Sequence, residues 1–370
     1  KQIMEFSIAK KSLLDCLNHF QSVVERRNTI PILSNLKINA IEGGLSLTAT
    51  DLALELSESL TANVITTGGI TIPSQLFFEI VRKAPESSQI SMKQDEKSGS
   101  VIVFFGKSKF SLPTLPIEDF PVMDSDNLDA EITLKSNDLK ILINNSKFCM
   151  GLDESRQYLN GIFLHTNGES FLAVATDGHR LSKCSVLGKL DKKFDGIIIP
   201  KKSVYEISKL LEDYNENVKI NFSKTRIKLT FGNVQFVSKL INASFPDYES
   251  VIPKDNNQTM IVDCKSFSET IDRVSTISDD KLRTVKFQIL NGSCTVSSFG
   301  NDKSIGTETL SVDFNGSQIS INFNAKYILD VLGIIKSGKV KFHFSEKTAP
   351  TIIESDSFKN NVFLIMQMRA

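Results

Sequence analysis

The chain has 370 residues carrying 43 basic and 43 acidic side chains, a formal net charge of zero. This length exceeds one ordinary core and sets two or three domains, and a hydrophobic content of 41% excludes a disordered chain. Charge neutrality argues against an open-faced nucleic-acid binder held by phosphate contacts alone, while leaving room for positive charge confined to one surface.

Phenylalanine is abundant (25) and tryptophan absent, so the cores should be rich in Phe, Leu and Ile. No apolar run approaches the roughly 18 residues of a membrane span, and the opening "KQIMEFSIAKKSLL" lacks the apolar centre of a signal peptide. The expected compartment is therefore the cytoplasm. Cys16, Cys149, Cys184, Cys264 and Cys294 are scattered singly, as are His19, His165, His179 and His343. That spacing favours neither a disulfide framework nor a metal site, and no cofactor is expected.

In chain order, the first predicted element is a helix over 10–24, where Leu13, Leu14, Leu17 and Phe20 fall at helical spacing. "GLSLTATDLALELSESL" (44–60) then runs as an apolar strand into Ala-Thr-Asp and out into a second strand. "GITIPSQLFFEIVRKAP" (69–85) is a short β-rich run entering a second helix. "QISMK" (89–93) and "SVIVFFG" (100–106) alternate as half-buried strands. "KFSLPTLPIEDFPVM" (109–123) reaches Phe-Pro near its end.

The same order then recurs. A helix is predicted over 136–148 from Leu139, Leu142 and Ile143, with cap-like Ser136 and Asn137 before it. "ESFLAVATDGHRLSKCSV" (169–186), "GIIIPKKSVYEISKLLED" (196–213) and "QFVSKLINASFPDYESVI" (235–252) match the three segments of the first copy. A weaker third copy has a helix over 264–277, with Phe267, Ile271 and Val274, then "GSCTVSSFGNDKSIGTETL" (292–310), "SINFNAKYILDVLGIIKSG" (320–338) and the tail "VFLIMQMRA" (362–370). Three repeats imply three α+β domains, 1–125, 126–253 and 254–370, each with two amphipathic helices packed on antiparallel strands. Lys10, Lys11, Arg26, Arg27, Arg82, Lys83, Lys140, Lys147, Lys201, Lys202, Lys209, Arg273, Lys326 and Lys336 flank or line the helices, and read either as solvated charge or as one shared basic face.

"ATDGHR" (175–180) sets Asp177 beside His179 and invites a hydrolase reading with Asp51. The first copy, "ATDLAL", keeps Ala-Thr-Asp without the histidine, so Thr50–Asp51 and Thr176–Asp177 read most simply as a shared strand-to-turn element. Nucleotide-binding glycine loops, a G-x-S-x-G elbow and an H-E-x-x-H pair do not occur.

Four runs carry a resemblance: "RRNTIPILSNLKINAIEGGLSLTATDLALEL" (26–56), "RQYLNGIFLHTNGESFLAVATDGHRLS" (156–182), "FPDYESVIP" (245–253) and the ending "MQMRA". In their order and spacing they resemble the bacterial sliding clamp family, the DNA polymerase III beta subunits. The resemblance implies a non-catalytic homodimer closed head to tail as a ring. Such a ring encircles double-stranded DNA without sequence preference and tethers the replicative polymerase, the clamp loader and other proteins bearing a clamp-binding motif. It also implies a cytoplasmic, nucleoid-associated location.

By the same resemblance, Arg27, Arg82, Lys83, Arg156, Tyr158, Lys201 and Lys202 contact DNA. Leu159, Thr176, Gly178, His179, Arg180, Leu181, Pro246, Val251, Leu364, Met366, Met368 and Arg369 form a partner-peptide pocket. Phe110, Leu112 and Ile277 serve the dimer interface. Without the resemblance, Phe110 reads equally as core and the Met366–Met368 alternation as a buried strand. Four positions depart from the family pattern: Gln157 stands where a tyrosine is usual, Ser250 where an arginine is usual, Gln367 where a proline is frequent, and Ala370 where a leucine is frequent. The alternatives are a protein-interaction scaffold without DNA function and a metal-dependent hydrolase.

Overall fold

The computed structural model describes residues 3–25, 29–125, 128, 130–190, 194–278, 283–345 and 348–368. The N-terminal third contains β1 (Glu5–Ala9), α1 (Lys10–Phe20), β2 (Asn35–Ile41), β3 (Gly44–Thr50), β4 (Leu54–Thr61), β5 (Asn63–Thr66), β6 (Gly68–Pro73) and α2 (Ser74–Lys83). It ends with β7 (Gln89–Gln94), β8 (Ser100–Phe105) and β9 (Ser108–Pro113). The middle holds β10 (Ala130–Lys135), α3 (Ser136–Asn144), β11 (Gly161–Thr166), β12 (Ser170–Thr176) and β13 (Arg180–Leu187). It continues with β14 (Ile197–Pro200), α4 (Lys201–Leu211), β15 (Asn217–Phe222), β16 (Arg226–Phe231) and β17 (Val234–Lys239). The last third has β18 (Gln258–Asp263), α5 (Cys264–Ser275), β19 (Thr284–Leu290), β20 (Ser293–Phe299), β21 (Ile305–Ser311) and β22 (Ile319–Asn324). It closes with α6 (Ala325–Ile335), β23 (Lys339–Phe344), β24 (Thr351–Ser355) and β25 (Asn361–Ile365).

The repeat read from the sequence is thus present as elements: two helices per copy, each entered directly from a strand. The helix predicted over 136–148 begins at Ser136 itself and ends at Asn144. Helix α5 is capped by Asp263, whose carboxylate accepts from the Ser266 N–H at 2.9 Å, and α6 by Asn324, which accepts from the Lys326 N–H at 3.0 Å. Each cap satisfies an amide that the first helical turn leaves without a partner.

The chain divides into two compact units. One comprises residues 1–137 and 205–240, and the other residues 138–204 and 241–370. The first unit holds a five-stranded sheet, β5-β1-β7-β8-β9, and an eight-stranded sheet, β10-β15-β16-β17-β4-β3-β2-β6. The second holds an eight-stranded sheet, β14-β11-β12-β13-β25-β24-β23-β18, and a four-stranded sheet, β21-β20-β19-β22. Neither unit coincides with a sequence repeat. The middle repeat sends β10 and β15–β17 into one eight-stranded sheet and β11–β14 into the other.

One seam recurs in both units. In the first, β17 pairs antiparallel with β4, with Val234 opposite Glu58 and Ser238 opposite Leu54. In the second, β25 pairs with β13, with Arg180 opposite Ile365 and Cys184 opposite Asn361. Each seam joins the strand after an Ala-Thr-Asp turn to the last strand of the following repeat. Backbone hydrogen bonding therefore runs unbroken across the repeat boundary.

Period-2 alternation explains the burial. On β11, Ile162 and Leu164 are nearly inaccessible, while Phe163 and His165 take the opposite face and are half-buried. Under α5 and α6 the aromatic core is built from Phe267, Phe287, Phe323 and Phe342, with ring centroids 5.1–5.4 Å apart in its three closest pairs. This is the phenylalanine-rich core that the composition implied.

The basic helix face is thinner than the sequence suggested. Lys10 is 2% exposed, and its ammonium donates to the Ala84 carbonyl at 2.6 Å and to Glu86 at 2.9 Å. It ties α1 to the end of α2 and leaves the shared basic surface. Lys209 donates to the Asn18 carbonyl and to Ser22 Oγ, both at 3.1 Å. Arg273 pairs with Glu308 at 2.8 Å. Replacing Lys10 by Met leaves a buried carbonyl without a donor, so urea denaturation should show a loss of about 1–3 kcal/mol. An unchanged midpoint would mean that Ala84 finds another partner.

Candidate protein-binding groove beside the Ala-Thr-Asp turn

Both Ala-Thr-Asp sequences fold into the same turn. Thr50 Oγ1 donates to the Leu54 carbonyl at 2.7 Å and accepts from the Leu52 N–H at 3.1 Å. Asp51 accepts from the N–H groups of Ala53 and Leu54, each at 2.8 Å. In the second copy, Thr176 Oγ1 donates to the Arg180 carbonyl at 2.6 Å and accepts from Gly178 N–H at 3.1 Å. Asp177 accepts from the N–H groups of His179 (2.9 Å) and Arg180 (3.1 Å). The aspartates are committed to backbone donors, which is the turn reading and not the hydrolase one.

The turn requires one left-handed residue. Leu52 supplies it in the first copy at φ 73° and Gly178 in the second at φ 89°. A Cβ on Gly178 would stand 2.8 Å from Arg156 Nη1. Glycine there serves both backbone strain and the close approach of an arginine.

Beside this turn the second unit carries a cleft of about 400 Å³. It is lined by Leu159, Thr176, Gly178, His179, Arg180, Leu181, Pro246, Val251, Leu364 and Met366 from the expected set, together with Arg156, Tyr158, Asp247, Tyr248 and Pro350. Strand register sets the floor. Leu181 lies opposite Leu364 across the β13–β25 seam, and Leu364 opposite Ile352 on β24. Tyr248 packs with Val174, Leu181 and Leu364 in one apolar cluster. The short turn Tyr248–Val251 lies C-terminal to Phe245 and Pro246 and presents Val251, 51% exposed, at the rim.

Arg180 anchors the groove from below. Its Nε donates to Asp177 at 3.1 Å and its Nη1 to Asp330 of α6 at 2.5 Å. The guanidinium carbon stands 4.4 Å from the Tyr327 ring centroid and 5.5 Å from that of Phe148. The side chain is only 10% exposed. This charge bridges β13 and α6, and its partners leave it little capacity to bind a ligand.

The structure redistributes several expected residues. Arg156 and Tyr158, assigned to DNA, line the groove, and Arg156 is ion-paired with Asp153 at 3.0 Å. Met368, assigned to the groove, lies elsewhere: its N–H donates to the Asn322 carbonyl at 2.8 Å, and its sulfur accepts from Thr284 Oγ1 at 3.6 Å. The tail leaves the groove at Met366, whose N–H donates to the His179 carbonyl at 2.8 Å. Arg27 and Arg369 lie outside the described residues.

Arg82 and Lys83 end α2 on the surface, 52% and 73% exposed, and share Glu79. Lys201 and Lys202 open α4 half-buried. Burial, and secondarily the Arg180 guanidinium, hold Lys201 below the ordinary lysine pKa. Phe110 is 37% exposed on β9, whereas Leu112 is 3% exposed and turns inward beside Val101, so it offers only backbone to a partner. Ile277 is half-buried after α5.

Sequence reasoning did not assign Tyr248, Asp247 or Pro350 to the groove. The first two lie inside "FPDYESV" and carried a signal there, while Pro350 follows no motif. Ser250 is exposed and donates to the Asp247 carbonyl at 2.7 Å, closing the rim turn on itself. Among the described residues, no cluster of His, Cys, Asp and Glu could hold a metal ion.

Arg180→Ala leaves Asp177 and Asp330 without their shared cation and is expected to cost about 3 kcal/mol in a chemical melt. A loss below about 1 kcal/mol would show that solvent already screens both carboxylates.

Three domain families of the DNA polymerase III beta subunit match in order: N-terminal over residues 4–124, central over 133–247 and C-terminal over 249–369. The chain is 38% identical to the beta sliding clamp of Caulobacter vibrioides over 99% of this chain and 100% of that one. It is 32% identical to the Pseudomonas aeruginosa beta sliding clamp at the same coverage. A crystal structure of the Caulobacter crescentus clamp superposes with a TM-score of 0.96 at 37% identity, covering 100% of this chain and 99% of that one. The Bartonella birtlesii clamp bound to griselimycin superposes at 0.95 and 36% identity over 100% of both chains. With every repeat matched in order and across nearly its whole length, the chain belongs to the bacterial beta sliding clamp family, the DNA polymerase III beta subunits.

Proposed function

We propose that two copies close head to tail into a ring around duplex DNA, and that the groove beside Gly178 captures short apolar segments of replication and repair proteins, the replicative polymerase and the clamp loader among them. The protein is a non-catalytic processivity factor working in the bacterial cytoplasm. The domain boundaries are proposed at 1–125, 126–253 and 254–370.

The observation that carries this reading is a missing pairing. Within each unit, the strand after one repeat's turn pairs with the last strand of the next repeat, as β4 does with β17 and β13 with β25. By position in the repeat, β21 and β9 are the remaining pair. Among the described residues β21 pairs only with β20, and β9 only with β8. Apolar side chains crowd these edges: Phe104 and Phe110 are each 37% exposed, Phe299 is 59% exposed and Ile305 is 67% exposed. A second copy supplies each edge with its complement, in a heterologous contact that closes on itself.

A ring holds DNA by topology, so weak attraction suffices. Arg82, Lys83, Lys201 and Lys202, with Arg27, are proposed to meet phosphates. Arg82 and Lys83 release the half-buried Glu79 carboxylate to do so, at little cost. Weak contacts without base readout leave no deep register and permit sliding. Gln157 in place of the usual tyrosine removes one stacking surface.

In the groove, Leu181, Leu364 and Tyr248 offer an apolar floor, while Met366 adapts to different anchors. Ser250 in place of arginine lowers positive charge at the rim, so acidic flanks on a partner should contribute less here.

Loaded protein should remain on a closed DNA circle and leave once the circle is cut. Equal loss from circles and linear DNA would overturn the ring. Light scattering should give a dimer mass, and Phe110→Asp should shift it towards the monomer. A wild-type monomer at micromolar concentration would contradict the pairing of β9 with β21.

A further inference from the structure

The groove's aromatic wall is held from behind by a histidine. Phe163 and His165 share the groove-side face of β11, and the Phe163 ring stacks on His165 (centroids 4.7 Å apart) and on Phe245 (4.8 Å). His165 Nε2 lies 2.8 Å from the Tyr248 phenol oxygen. The neighbouring Glu249 accepts from Lys183 Nζ at 2.5 Å, and that ammonium stands 5.7 Å from the Tyr248 ring centroid. In the neutral ring Nε2 can accept the phenol proton, and protonation of the imidazole removes that acceptor.

Tyr248 is the link to function, because it lines the groove and packs on Leu181 and Leu364, whereas His165 lines none of it. We propose that His165 is a positioning residue for partner capture: while neutral, it fixes the Tyr248 phenol and with it the wall on which a peptide's apolar anchor packs. The inference rests on the groove reading above.

The charged and titratable groups facing His165 are Lys183 from β13 and Tyr248 and Glu249 from the rim segment, with Asp247 beside them. Burial, foremost, holds the imidazole below its ordinary pKa, and Lys183 adds to this against the opposing Thr166 backbone and Glu249. The neutral ring is therefore favoured in the folded protein. Its contribution is complete above about pH 6.5 and is lost as pH falls towards the lower folded value. A bound peptide buries the wall further and favours the neutral ring more, so affinity falls with acidification.

The test is fluorescence polarisation with a labelled peptide that has leucine and phenylalanine anchors and no group titrating between about pH 5 and 8. Wild-type affinity should fall at least about three-fold from about pH 7.5 to 5.5. His165→Gln keeps an acceptor without a titrating charge. It should bind within about two-fold of wild type at about pH 7.5 and show a flatter profile. His165→Phe keeps the stack but not the hydrogen bond, and should bind about five-fold more weakly at unchanged melting temperature. His179 is present in every variant, so its contribution is common to all of them. Wild-type affinity in His165→Phe, or a His165→Gln profile parallel to wild type, overturns the role of His165 alone. Absence of saturable binding by wild type at about pH 7.5 overturns the groove reading, and the inference with it.

Discussion

The antiparallel pairing of β13 with β25 is the constraint on which the site depends. It places Leu364 opposite Leu181 and continues a single sheet across the boundary between the second and third repeats. Because side chains alternate, the same pairing sends Phe363 and Ile365 into the core with α5 and α6 and leaves Leu364 facing the groove. A one-residue slip would exchange the two sets, putting core phenylalanine into solvent. Register is thus held by burial on one face, and the groove on the other inherits it.

The electrostatics follow from a similar economy. A chain with no net charge balances every cation with an anion, and some cations are held inside the protein: Lys10 by Ala84 and Glu86, Arg180 by Asp177 and Asp330. Those on the surface, Arg82 and Arg273, sit beside glutamates. Exposed pairs of this kind are weak and exchange readily for phosphate. The ring proposed above needs no more than that, since its closure and not its affinity for DNA would prevent escape.

Repetition gave two turns the same hydrogen bonds and different uses. In the first copy Leu52 occupies the left-handed position; in the second Gly178 does, and Arg156 approaches to where a Cβ would stand. The second copy alone adds a histidine that lines the groove and an arginine tied to α6. Local strain was removed where the backbone had to be approached by other groups, and it persists where only the turn matters.

What could be read from the amino-acid order alone was whatever depends on local periodicity or on comparing one repeat with another. The two helices per repeat, the strand faces, the Phe-rich core, the structural role of Asp51 and Asp177, and most of the groove residues were legible because they follow from spacing within a segment or from family-specific runs. The tertiary structure alone decided that Lys10 is buried, that Leu112 turns inward, and that Met368 leaves the groove for Asn322 and Thr284. It also brought Tyr248 and Pro350 into the lining and set His165 behind Tyr248. These outcomes rest on contacts between segments far apart in the chain, and the pattern of a single strand or turn carries no record of which distant surface will cover it.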